Sequence, residues 1–341
     1  MTGRLEDVLT RAWLRRGLLA WTLWPLSLLF RLLASSRRAL YKAGVLQSTR
    51  LPVPVVVVGN IFIGGTGKTP LTIWLVAELR RAGFVPGVIS RGYGSSNDTP
   101  VEVTSTSAPA SVGDEPALIA RCAGCPVMVG RNRVATAQAL LAAHPELNLI
   151  ISDDGLQHYA LQRDVEIVLC DERGNGNGWT LPAGPLREPA SRRRDFTVVN
   201  SERVPEGIPD PIIRMQLAGN VAERLADPSQ TMELSALSAL PPCRIVAAAG
   251  IGNPARFFAM LRKAGLTIEE MPLPDHYDYT GNPFTDIQAD IILITEKDAV
   301  KCMHLDTMKN DPRLWVVPVT ARIDRALAER IVEKCRGRPT A

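Results

Sequence analysis

The sequence predicts an α/β protein: a parallel-sheet domain with a phosphate-binding loop, a second, smaller α/β domain, and an N-terminal membrane-associated helix. Three observations predict it. Short apolar runs rich in Val and Ile, suited to strands covered on both faces, alternate with amphipathic helical stretches. One such run, Val55–Val58, leads into Gly64-Gly-Thr-Gly-Lys-Thr69 and then a helical pattern. Fourteen residues without a charge, Gly17–Phe30, lie ahead of that domain between arginines.

A chain of 341 residues has room for two cores. The composition shifts divide it into a hydrophobic, basic segment 1–45, a phosphate-loop domain 46–204, a Pro-rich and polar linker 205–242, and a smaller α/β domain 243–341. Hydrophobic content of 46% excludes a disordered chain. The net charge of +4 is uneven: residues 1–50 hold nine Lys/Arg against two Asp/Glu. These basic residues sit among Leu and Trp, which points to an anionic membrane surface and away from nucleic acid. Six cysteines at 122, 125, 170, 243, 302 and 335 make no disulfide framework. The lone Cys122-x-x-Cys125 has no second pair to complete a zinc site and reads as incidental thiols.

At about 1.5 Å per residue, the uncharged run spans roughly 21 Å, short of a hydrocarbon core of roughly 30 Å. Arg11, Arg15 and Arg16 precede it, and Arg31, Arg37, Arg38 and Lys42 follow. Trp13, Trp21 and Trp24 suit the headgroup layer, so the segment is expected to lie in the interface, kinked at Pro25, rather than to span or to fill a core.

The turn after Val55–Val58 is an anion cradle, combining free amides, a helix N-terminus and an ammonium. Gly64, Gly65, Thr66 and Gly67 wrap the phosphates of a nucleotide, Lys68 faces its β- and γ-phosphates, and Thr69 is the expected magnesium ligand. Phe62 stands where the strict pattern wants glycine, and Ile63 where the variant loop wants lysine. The helix beyond carries Leu71, Leu75, Val76 and Leu79 on one face.

Val85–Ser90 reads as the next strand, in a parallel βαβ unit with the first, and is closed by Arg91-Gly-Tyr-Gly94. Residues 95–111 read as loops and edge strands. Gly113-Asp-Glu-Pro116 opens a helix over Ala117–Cys122, where Asp114 and Glu115 suit caps. Pro126–Val129 is a short strand, and Ala135–Ala143 a helix. Leu147–Ser152 is an apolar strand ending in Asp153 and Asp154, as a Walker-B element requires. Successive aspartates point to opposite sides, so one of the two faces the metal, and the sequence leaves open which. Val165–Cys170 and Phe196–Asn200 are further strands, and between them Arg187 offers phosphate a planar fork. Arg192, Arg193 and Arg194 read as a solvated or lipid-facing patch. In the second domain, Arg244–Ala249, Ile291–Thr295 and Trp315–Val319 are strands, with helices at Ala255–Ala264 and Ala326–Cys335. His276 is flanked by Asp275 and Asp278, while His144 and His304 read as structural without a partner.

Together, VGNIFIGGTGKTP (58–70), SRGYG (90–94), GDEP (113–116), DDGLQH (153–158), PAGPLRE (182–188), DHYDYT (275–280) and TEKDAVK (295–301) resemble, in order, the tetraacyldisaccharide 4′-kinases of lipid A synthesis. The family also carries a non-glycine at the position of Phe62. The resemblance implies transfer of the ATP γ-phosphate, with Mg2+, to the 4′-hydroxyl of a membrane-bound acylated glucosamine disaccharide phosphate, at the cytoplasmic face of a Gram-negative inner membrane. It implies Asp114 as the base at the sugar hydroxyl, paired with His276. It also implies Asp153 and Asp154 at the metal and phosphate, and Arg187 and Glu188 helping to place phosphate and metal. The alternative is a membrane-targeted nucleotide-switch ATPase, against which Ile63 and the second domain weigh.

Overall fold

The computed structural model of the chain describes residues 12–92, 99–239 and 243–337. Arg11, Tyr93, Gly94, residues 95–98 and the linker's last residues, 240–242, lie outside them.

The strands, in chain order, are β1 (Val55–Gly59), β2 (Pro86–Ser90), β3 (Val101–Val103), β4 (Val127–Val129), β5 (Leu149–Asp153), β6 (Val165–Asp171), β7 (Phe196–Asn200), β8 (Ile212–Ala218), β9 (Val221–Arg224), β10 (Thr231–Glu233), β11 (Ile245–Ala249), β12 (Glu269–Pro272), β13 (Ile291–Thr295), β14 (Leu314–Val317) and β15 (Thr320–Ile323). They form a nine-stranded sheet ordered β15-β8-β7-β6-β1-β5-β2-β4-β3 and a six-stranded sheet ordered β10-β9-β14-β13-β11-β12. The larger sheet is parallel except at its edges, where β3 runs against β4 and β15 against β8. In the smaller one, β9 is the reversed strand, antiparallel to both β14 and β10.

The valine run of β1 is explained by its place in the middle of the larger sheet. Val56 and Val58 pack with Leu71, Leu75 and Leu79 on one face, while Val55 and Val57 pack with Ile61, Leu140 and Leu156 on the other. A strand covered on both faces has no polar side, hence no alternation. β1 and β2 are parallel but not neighbours. β5 lies between them, with Asp153 in register with Val58. This insertion brings the end of β5 to the phosphate loop.

The segment expected as a linker, 205–242, is largely structured. β8 pairs with β7 and buries Met215 in the larger core, whereas β9 and β10 edge the smaller sheet. The chain also returns: β15 pairs with β8, and the helix Ala326–Arg336 sets Leu327, Ile331 and Cys335 into the larger core. Open sheet edges offer unpaired backbone groups, and these short strands fill them.

The N-terminal helix runs Leu18–Lys42, continuing through Pro25. It is no core helix: Ala20 and Ser27 are its buried residues, and Leu18, Leu32 and Leu33 stand 88%, 62% and 62% exposed. One narrow line of contact docks it. Ser27 Oγ donates to the Thr180 carbonyl and accepts from Ala183 N, both at 2.8 Å. Trp21 meets Trp179 edge-on at 4.8 Å, and Trp13 Nε1 donates to the Pro182 carbonyl at 2.9 Å. Its length and mean hydropathy of 1.5 would let it cross a membrane.

Candidate active site

Three side chains outside the glycine-rich turn shape the phosphate loop. Asn60, fully buried, donates from Nδ2 to the carbonyls of Phe62 (2.5 Å) and Gly64 (2.8 Å) and accepts from Lys68 Nζ at 3.2 Å. Arg173, held by Asp171, donates to the Gly65 carbonyl at 3.1 Å and lies 4.3 Å over the Phe62 ring. The phenylalanine at a glycine position is therefore a buried platform for a loop-holding arginine. Asn200, at the end of β7, donates to the Thr66 carbonyl at 2.9 Å. Gly67 caps the helix Lys68–Arg81 at φ +101°, and a Cβ there would stand 2.6 Å from Asn200 Nδ2. Only glycine meets both demands. Asn60, Arg173 and Asn200 received no role from the sequence. Their partners are backbone carbonyls, which no side-chain pattern records.

The two aspartates at the end of β5 do point apart. Asp153 is fully buried, with Thr72 Oγ1 and Ser90 Oγ each 3.4 Å from its oxygens. Burial, and then Glu115, push its carboxyl up to about 7 against the pull of Lys68. Asp154 has φ +49° and turns toward the cations. Arg187 Nη1 lies 3.1 and 3.2 Å from its oxygens, and Lys68 Nζ 3.8 Å. Burial raises its pKa, but Lys68 and Arg187 outweigh that and hold it below the ordinary carboxylate value. Arg133 backs the pair from inside, donating to the Asp153 and Gly130 carbonyls, and burial pulls its pKa down to about 10.

Asp114 lies within the helix Asp114–Ala123 instead of capping it. This helix packs on the phosphate-loop helix and, on another side, on Glu296–Cys302 of the smaller unit. Asp114 Oδ2 meets His276 Nδ1 at 2.9 Å, so residues 162 apart in sequence touch. Burial would raise the Asp114 pKa, but the His276 bond and the charges of Lys297 and Lys301 hold it well below the usual range. The same bond raises His276. The turn after β11 sits against the phosphate loop: a Cβ on Gly252 would come 2.9 Å from Gly65 N. Glu172, after β6, reaches Asn253 at 2.8 Å and also pairs with Arg256.

Several expectations change. Glu188 is buried, and its oxygens accept from Gln157 (2.9 Å), Tyr159 (2.7 Å) and Arg192 (2.7 Å). Arg192 is no solvated patch, because Glu188 and Glu166 neutralise it inside. His144 has partners after all, Glu102 at 2.8 Å and Glu146 at 3.3 Å. Burial pushes the Cys125 thiol up to about 12, which leaves it a poor nucleophile. Among the described residues, no cluster of three or more His, Cys, Asp or Glu forms a metal cage.

The family model described as LpxK, tetraacyldisaccharide-1-P 4'-kinase, matches residues 19–336. The tetraacyldisaccharide 4'-kinase of Janthinobacterium sp. (strain Marseille) is 64% identical over 342 residues, covering 99% of each chain. That of Herminiimonas arsenicoxydans is 60% identical over 99% of this chain and 98% of its own. That of Dechloromonas aromatica (strain RCB) is 47% identical over 98% of each. Among solved structures, the "apo" form of LpxK from Aquifex aeolicus in complex with ATP aligns with a TM-score of 0.78 and 28% identity, over 93% of this chain and 100% of that one. The match runs through both sheets and the residues that join them, and the chain belongs to the tetraacyldisaccharide 4'-kinase family, a family of kinases.

Proposed function

We propose that this kinase transfers the γ-phosphoryl group of ATP to the 4′-hydroxyl of a tetraacylated glucosamine disaccharide 1-phosphate in lipid A synthesis. The observation that carries the reading is the 2.9 Å bond between Asp114 and His276, made beside the phosphate-loop helix by residues of two different sheets. The loop amides and Lys68 grip the triphosphate, and Arg187, steadied by Asp154, adds a planar cation. Asp114 Oδ2 is occupied by His276 and Lys301, which leaves Oδ1 to receive the hydroxyl proton. The sugar oxygen then bonds to the γ-phosphorus as the bond to the ADP oxygen breaks, with the proton passing to Asp114. Its low pKa suits a proton taken late, once the oxygen has begun to bond to phosphorus.

Magnesium fits the residues present. Asp153 is a buried carboxylate that no ion pair reaches among the described residues, and a cation beside it would offset the burial that raises its pKa. Thr69 and Asp153 would hold the ion, with phosphate oxygens and water completing its shell, and it would neutralise charge on the β- and γ-phosphates. Asp154 serves chiefly to place Lys68 and Arg187, and Glu188 to place Arg187.

The exposed leucines of Leu18–Lys42, with Arg31, Arg37, Arg38 and Lys42 beside them, suit the anionic cytoplasmic face of an inner membrane, where the acyl chains stay buried and the sugar head reaches the cleft. The test is product analysis with γ-labelled ATP, Mg2+ and the disaccharide lipid in mixed micelles. Label is expected in the lipid fraction, at a rate that falls as detergent dilutes the lipid. Label appearing only as inorganic phosphate would mark a nucleotide switch and overturn the reading.

A further inference from the structure

The helix Glu296–Cys302 sets two lysines four residues apart, on one face, against the Asp114–His276 pair. Lys301 Nζ is 3.4 Å from Asp114 Oδ2, the oxygen that His276 already uses. Lys297 Nζ is 3.5 Å from His276 Nε2, 3.3 Å from Asp275 Oδ1 and 3.5 Å from Glu115 Oε1. Its side chain is 15% exposed, so water screens these contacts only in part. An ammonium has donors and no acceptor. Facing Lys297, Nε2 can therefore only accept, and the ring proton belongs on Nδ1, where it is donated to Asp114.

We propose that Lys297 is a positioning residue for the phosphoryl transfer: its ammonium, against Nε2, fixes His276 as the Nδ1–H donor to Asp114 and opposes a second proton on Nε2. The inference rests on the reading of Asp114 as the base. The groups facing His276 pull in opposite directions. Asp114, from the Asp114–Ala123 helix, and Asp275, from its own loop at 3.9 Å, favour the imidazolium. Lys297 opposes it. Lys301 touches Asp114 and not the ring, Glu115 bears on the ring only through Lys297, and Asp278 is occupied by Thr280. Without Lys297, that helix would balance the carboxylates only through Lys301 on Asp114, and His276 would stay protonated to higher pH.

The experiment is the pH profile of kcat/KM for wild type, Lys297→Met and Lys297→Arg, with His276 followed directly by NMR titration of its ring nitrogens. In Lys297→Met the acid limb and the His276 pKa should both move up by about one pH unit, two like charges at this range being worth that much after partial screening. The loss should be about tenfold at the acid end and should recover above the limb. Lys297→Arg, also a donor-only cation, should restore the wild-type limb. A uniform loss at every pH with an unmoved His276 pKa would mean a packing role and overturn the inference, as would a limb shifted downward. Asp114→Ala separates the two readings. If it abolishes turnover while Lys297→Met leaves the limb in place, this inference alone fails. If it leaves turnover intact, the reading of Asp114 as the base fails first.

Discussion

At the carboxyl ends of β1 and β5, the larger sheet holds its charged groups deep: Asp153 is 0% and Lys68 8% exposed, each fixed by neighbours from the same sheet. The smaller sheet contributes His276 with its side chain 34% exposed, from a loop whose partners lie on the other unit. The first arrangement is preorganised and carries its own cost of desolvation. The second is completed only when the two units meet, through Asp114–His276, Lys301–Asp114 and Glu172–Asn253. On the proposed function, the phosphate grip belongs to one sheet and the proton-accepting pair to the interface. Such a division would let nucleotide bind before the acceptor side is assembled, and would limit transfer to water.

Four experiments test that division, taken from the largest expected effect to the smallest. Lys68→Ala should lower kcat/KM by about a thousandfold or more, since it removes the central cation of the grip. A residual rate within tenfold of wild type would place the grip elsewhere. Asp114→Ala and His276→Ala should each lower kcat by roughly 100-fold or more, with little change in ATP affinity. Because the two residues act through one bond, the double variant should lose much less than the product of the single losses. Full additivity would break the pair apart.

Gly67→Ala forces a side chain into φ +101° and against Asn200, so thermal unfolding should come several degrees lower, for about 2 kcal/mol. An unchanged melting temperature would show that the loop relaxes freely. The smallest effect concerns His158, whose pKa burial, then Arg133 and Arg91, depress to about 4. The unfolded chain, titrating near 6.5, binds more protons between those values. Stability should therefore fall as pH drops through that window and level off below it. His158→Gln should flatten part of the decline in melting temperature between pH 6.5 and 4. An identical decline would assign it to other groups.

What could be read in advance followed from local rules. The Val55–Gly59 strand, its turn and its helix are set by neighbours within a few residues, and so was the fully matched strand Phe196–Asn200. Lys68, Asp154 and Arg187 were picked out individually, and the structure brings them into one cluster. That Gln157, Tyr159 and Arg192 all reach Glu188 was not legible, because those contacts are made only in the folded chain. The segment 205–242 misled because prolines and polar residues mark both linkers and short edge strands. Lys297 and Lys301 were visible as part of a motif, yet Glu115 and Asp114, with which they pair, lie nearly two hundred residues away.

By itself, then, the order of residues determined the strands, the phosphate loop and the apolar basic N-terminal helix, because each depends on side-chain periodicity and on backbone freedom over short distances. Tertiary structure alone decided that β5 inserts between β1 and β2, that the last strand and helix return to the first sheet, and that Asp114, His276, Lys297 and Lys301 meet. Those outcomes depend on which edges pair and which charges find compensation after burial, and neither is encoded by any one segment.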